Sequence, residues 1–173
     1  SVYFPGQVIP MLPHKLSNGL CSLRPDEDRF AVLVSMEVSP AGELESYELH
    51  KAVIRSQRRF TYEEAQELID GHEPLPGDEK FVGLIEGLEQ LRKALKGARM
   101  RRKSIDLTLP EQDMDIDAQG NITAVFEKER LAAHSLVEEC MLLANESVAR
   151  ICDQNEIQIP IRLHDEPAPE KVS

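Results

Sequence analysis

RFAVLVSMEVSPAGELESYELHKAVIR, residues 29–55, carries the pattern that decides the fold. Phe30, Val32, Val34, Met36 and Val38 recur at every second position, the period of a strand with one apolar face. Pro40-Ala41-Gly42-Glu43 supplies a turn, and residues 44–55 read as a second strand, so an antiparallel hairpin is predicted. Beyond it the apolar period lengthens. Thr61-Tyr62-Glu63-Glu64 is a T-x-x-E capping box, in which the threonine hydroxyl and the glutamate carboxylate each satisfy the other's backbone amide. The short helix it opens should run to Asp70 and stop at Gly71. After the loop HEPLPGD, a long amphipathic helix is predicted from Asp78, with Phe81, Leu84, Ile85, Leu88, Leu91 and Leu95 at helical spacing.

Residues 113–126 read as another hairpin, turning around Gln119-Gly120-Asn121. A last long helix is expected from about Lys128 to Cys152, burying Leu131, Leu136, Cys140, Met141, Ala144 and Val148, with a closing strand over Ile157 to Leu163. Residues 1–28 hold Pro5, Pro10, Pro13 and Pro25 and should form an ordered loop, since proline fixes φ and removes a donor. No internal repeat interrupts the chain. The expected architecture is α+β, a mostly antiparallel sheet with packed long helices.

The 173 residues suffice for one domain, and 41% hydrophobic residues is an ordinary globular share. No apolar run approaches the roughly 18 to 20 residues that span a bilayer, so no membrane partner is expected. Cys21, Cys140 and Cys152 form no C-x-x-C pair, which fits reduced thiols and a cytoplasmic location. A net charge of −11 argues by itself against nucleic acid. Residues 92–103, RKALKGARMRRK, reverse that locally with seven basic side chains. They read either as a solvated helix end or as a phosphate-contacting surface, and periodicity leaves both open. The chain begins in mid-pattern without Met, and a fragment of a longer polypeptide is expected.

Several constellations resolve to ordinary structure. Asp113, Asp115 and Asp117 alternate like the start of a calcium loop. Ala118 and Ala124 stand where that loop needs glycine and glutamate, so an exposed strand face is the better reading. His14, His50, His72, His134 and His164 show no metal-ligand spacing. Cys21 reads as a half-buried structural thiol. Tyr3, in a proline-rich loop, and Tyr62, at a helix start, are surface rings suited either to packing or to stacking on bases.

Four blocks then stand out: Tyr3-Phe4-Pro5-Gly6-Gln7-Val8-Ile9-Pro10-Met11-Leu12-Pro13 with Leu16 to Leu23; Val53-Ile54-Arg55-Ser56 with Phe60-Thr61-Tyr62-Glu63-Glu64; HSLVEECMLLAN from His134 to Asn145; and Arg162-Leu163-His164-Asp165-Glu166-Pro167. In this order they resemble the central part of the catalytic RNB domain of the ribonuclease II and ribonuclease R exoribonucleases, and the resemblance covers nearly the whole chain. It implies processive 3′→5′ hydrolysis of single-stranded RNA to nucleoside 5′-monophosphates. It also implies two Mg²⁺ ions that activate water, held by an aspartate cluster upstream of these residues. A catalytic arginine would lie downstream. No catalytic residue and no metal ligand is therefore expected within this chain, and the remainder of the same polypeptide is an expected partner.

Residue by residue, Tyr3 matches the tyrosine that stacks on the 3′-terminal nucleotide. Tyr62 and Glu138 match the pair that favours ribose over deoxyribose, chemistry suited to a 2′-OH that both donates and accepts. Leu107 replaces a base-stacking phenylalanine, which removes a π-face. Arg99, Arg101 and Arg102 are candidate phosphate contacts in the basic run. The alternative is a degenerate relative that grips RNA without cutting it.

Overall fold

Alternation in residues 29–55 produces the hairpin expected of it. In the computed structural model, which describes residues 1–4, 7–104, 112–117, 119, 121–127 and 129–160 (of Tyr3 and Asp113 the backbone alone), β3 (Asp28–Val38) and β4 (Leu44–Arg55) pair antiparallel. The register runs from Asp28 opposite Arg55 to Glu37 opposite Ser46, with an irregularity before Val38. Gly42 turns the chain at φ +80°, a conformation open to glycine because it has no Cβ.

The proline-rich start is more ordered than a loop. Val2–Phe4 (β1) and Gln7–Ile9 (β2) form a small antiparallel ribbon, and Lys15–Leu20 winds into a π-helical turn. Pro10 and Pro13 lie outside these elements, so neither blocks a ladder or helical donor. A third hairpin pairs β5 (Gln112–Ile116) with β6 (Ile122–Glu127). Asp117 folds its turn, accepting from the amides of Gln119 and Asn121 at 2.9 and 2.8 Å. The three hairpins are separate two-stranded sheets among the described residues.

Three helices pack on one another: α1 (Tyr62–Ile69), α2 (Val82–Arg101) and α3 (Ala132–Gln154). The capping box at Thr61 forms in full, with Thr61 Oγ1 accepting from the Glu64 amide at 3.2 Å and Glu64 Oε2 accepting from the Thr61 amide at 2.8 Å. The helix ends where Gly71 takes φ +81°; the His72 amide donates to the Glu67 carbonyl and the Gly71 amide to that of Leu68, a Schellman closure. Leu68, Ile85, Leu95, Ala98, Ala133 and Leu136 are the buried hydrophobic residues of this helical layer. The turn of the β3–β4 hairpin lies against α2 at Ala94 and Ala98, and Met36 meets Ser147 of α3 at 3.6 Å.

Several expectations need correction. Met141, expected on the buried face of the last helix, is 59% exposed, and Leu84, of the apolar stripe of the long helix, is 58% exposed. Each belongs to an apolar stripe wider than the strip its neighbours cover. Phe30 and Val32 are 93% and 67% exposed although the strand period was right, because α3 meets the hairpin nearer its turn, at Met36. The last helix starts at Ala132 rather than near Lys128, because His134 caps the amide of Leu131. Ile157 to Pro160 are not in a strand, and Ile161 to Leu163 lie outside the described residues. Cys21 is exposed rather than half-buried.

Charge is built into the helical layer as well. Glu89, 8% exposed, accepts from Arg92 at 2.6 and 2.7 Å and pairs with Lys93 at 3.2 Å. The Arg92 guanidinium holds the Glu89 carboxyl below its ordinary value of 4.5, against burial, which pushes it up. A depressed carboxylate contributes stability that is present above the unfolded value and lost as pH falls through the folded one. The urea midpoint should therefore decline below about pH 4.5. Glu89→Gln should reduce the difference between midpoints at neutral and acid pH; an undiminished difference would exclude Glu89 as a source of the acid sensitivity.

Candidate nucleic-acid interface

The residues leading into Tyr62 are held from several directions. Arg58 donates to Asp78 at 3.0, 3.1 and 3.3 Å and to Glu64 at 3.0 Å, and its guanidinium lies over the Phe60 ring at 4.7 Å. These carboxylates hold the Arg58 pKa above its ordinary value. Phe60 meets Phe81 edge to face at 5.4 Å. With the Thr61 cap closed on Glu64, Tyr62 is fixed as the first residue of α1, 43% exposed. The block Phe60 to Glu64 thus encodes the placement of one tyrosine.

The start of α3 lies beside the start of α1. Gln66 Oε1 accepts from the Ala133 amide at 3.2 Å, bridging the two helices. His134, the third residue of α3, accepts the Leu131 amide on Nδ1 at 3.2 Å. Its ring stacks on Tyr62, with centroids 4.0 Å apart and planes inclined by 22°. Glu138, four residues on, occupies the same face of α3. Its half-exposed carboxylate is ion-paired with Arg130. Tyr62, His134, Glu138 and Arg130 therefore form a continuous polar and aromatic strip across the two helix starts.

The other candidates are placed differently. Tyr3 lies in β1 opposite Val8. Leu107 and the block Arg162 to Pro167 lie outside the described residues. Arg99 crosses from α2 to Glu139 of α3, donating from Nε and Nη2 to the same oxygen at 3.0 and 2.7 Å. Arg101 contacts the Ala41 carbonyl and Glu43 of the hairpin turn, while Arg102 lies 3.8 Å from Glu146. Much of the basic run is thus matched by acidic partners. The heads of Arg101 and Arg102 remain 59% and 58% exposed.

Sequence reading missed Arg58, Gln66, Arg130 and His134. The histidine had one available signal, its place three residues after the Leu131 cap. No cluster of three or more His, Cys, Asp or Glu able to hold a metal occurs among the described residues. Asp117 is committed to its turn amides, as the strand-and-turn reading of this segment expects.

The fold of hairpins and three packed helices is shared with known proteins. The chain belongs to the RNB domain family, whose model matches residues 1–173. It is 40% identical to Ribonuclease R of Escherichia coli (strain K12) over 176 residues, covering 100% of this chain and 21% of that protein. Against Ribonuclease R of Aquifex aeolicus (strain VF5) the identity is 42% over 173 residues, 98% of this chain and 24% of the relative. Mycoplasma genitalium RNase R in complex with ribose methylated single-stranded RNA superposes with a TM-score of 0.91 at 30% identity, covering 99% of this chain and 27% of that one. The chain thus spans between a fifth and a quarter of the curated relatives' length.

Proposed function

We propose that this chain is the substrate-clamping part of a catalytic domain that hydrolyses single-stranded RNA processively from its 3′ end to nucleoside 5′-monophosphates. The observation that carries the reading is the Tyr62–His134–Glu138 strip, in a chain that superposes on an RNase R described as bound to single-stranded RNA. A phenol and a carboxylate are suited to a ribose 2′-OH, which both donates and accepts. Tyr3 is read as the ring that stacks on the 3′-terminal base. Within the basic run, Arg101 and Arg102 are the better phosphate contacts, since the Arg99 head is held against Glu139 and only 16% exposed.

Mg²⁺ belongs to this reading, with ligands on parts of the protein beyond these residues; when bound it would activate the attacking water. The chain by itself should be inactive. A cytoplasmic location is also part of the reading and is supported by three free cysteines. Among the described residues no helix is long and apolar enough to cross a membrane.

The test is product analysis with the full-length protein and a single-stranded RNA labelled in parallel reactions at its 3′ end, which reports mononucleotides, and at its 5′ end, which reports the limit product. Mononucleotide release that requires Mg²⁺ is expected, and Tyr3→Ala should lengthen the limit product. Binding without release would instead identify a degenerate RNA-gripping relative. A Tyr3→Ala product of parental length would remove that residue from the clamp.

A further inference from the structure

We infer that His134 is a positioning residue for ribose recognition: its ring holds Tyr62 against the face of α3 that carries Glu138, rather than serving only to cap α3. The inference rests on the reading of Tyr62 and Glu138 as the ribose-contacting pair. Three observations carry it. The Tyr62 and His134 rings lie nearly parallel at 4.0 Å, so one face of the phenol is covered. Tyr62 is the first residue of α1, a position where a ring without such a neighbour would sample several rotamers. His134 and Glu138 stand one turn apart on α3, so the group that covers Tyr62 belongs to the same rigid element as the carboxylate.

His134 is itself anchored. Accepting the Leu131 amide on Nδ1 places the ring proton on Nε2 and orients the imidazole. The Gln66–Ala133 bond fixes the spacing of the two helix starts. The chain from Leu131 through His134 to Tyr62 therefore converts the position of a helix end into the position of a phenol. Arg130 does the corresponding work for Glu138 through its ion pair. A recognition pair held this way loses little freedom when substrate arrives, which is how preorganisation gives discrimination.

Two substitutions separate the stacking role from the cap. His134→Asn supplies a side-chain acceptor for the Leu131 amide but removes the ring. His134→Phe keeps a ring over Tyr62 and loses the acceptor. The measurement is the affinity ratio of the full-length protein for a single-stranded RNA and for the same strand with deoxyribose in its last nucleotides, in chelator so that no turnover occurs. His134→Asn should lower the ratio about threefold to tenfold, the factor that an aromatic pair supplies, while His134→Phe should stay within about twofold of the parent. Melting curves of both variants report the cap separately. A parental ratio in His134→Asn, or an equal loss in His134→Phe, would overturn the inference. Tyr62→Ala is the control for the underlying reading. If it collapses the ratio while His134→Asn does not, the positioning role alone is wrong. If it leaves the ratio at the parental value, the ribose-contacting pair fails and the role of His134 fails with it.

Discussion

Replacing Arg99 by alanine should lower the stability of the domain by about 3 kcal/mol or more, the cost of leaving one partner of a buried ion pair uncompensated. Arg99 is 16% exposed at its side chain and Glu139 only 3%. The pair joins the C-terminal half of α2 to the first half of α3, beside the buried Leu95, Ala98 and Leu136. Removing the guanidinium leaves the buried Glu139 carboxylate without these two donors. The charge of Arg92 also acts at this place, attracted to Glu139, and moderates the loss without replacing the bonds. Because natural domains are stable by only about 5–15 kcal/mol, a change of this size should be plain in a urea titration of the full-length protein. The paired replacement Arg99→Met with Glu139→Leu should recover much of the loss, since apolar groups of similar volume carry no desolvation cost. An Arg99→Ala midpoint equal to the parent's would mean that α2 and α3 are not held together in this way.

That pair also shows where sequence reading stops. The run Arg92 to Lys103 was visible as seven positive charges, and its density invited a phosphate-binding reading. Glu89, the partner of Arg92 and Lys93, is local, but Glu43, Glu139 and Glu146 are distant in the chain, and nothing local could reveal that the fold supplies them. The hairpin of residues 29–55 and the Thr61 cap were legible because strand period and capping chemistry are local. The exposure of Phe30 and Val32 was not legible for the opposite reason, since exposure depends on what another element covers. The same distinction governs the candidate site. Tyr62 and Glu138 came from resemblance to a family, and Tyr62's place at a helix start came from the cap. The stack on His134, and hence the reason the tyrosine stands still, required α1 and α3 to be side by side.

Gly42→Ala should be as damaging as the loss of Arg99, and no second-site truncation should repair it. Gly42 is buried, has φ +80°, and occupies the turn that seats the β3–β4 hairpin on α2. Ser39 organises that turn: its carbonyl accepts from the Gly42 amide at 2.8 Å, and its hydroxyl accepts from the Glu43 amide at 3.1 Å. A Cβ at Gly42 would lie 2.2 Å from the carbonyl oxygen of Ala94 and 2.5 Å from its carbon. Those atoms are helix backbone, so relief requires the hairpin or α2 itself to move. The left-handed conformation costs an alanine about 1–2 kcal/mol. Overpacking a close contact adds about 1–3 kcal/mol. Moving the hairpin would also disturb the contacts of Arg101 with Ala41 and Glu43, and that of Met36 with Ser147. The expected result is a lowered melting temperature and a reduced soluble yield of the full-length protein. Adding Ala98→Gly removes the third close atom, at 3.1 Å, yet leaves both backbone contacts in place, so it should not restore the parent's melting temperature. Restoration by that second change would show that the hairpin rests on side chains rather than on the backbone of α2.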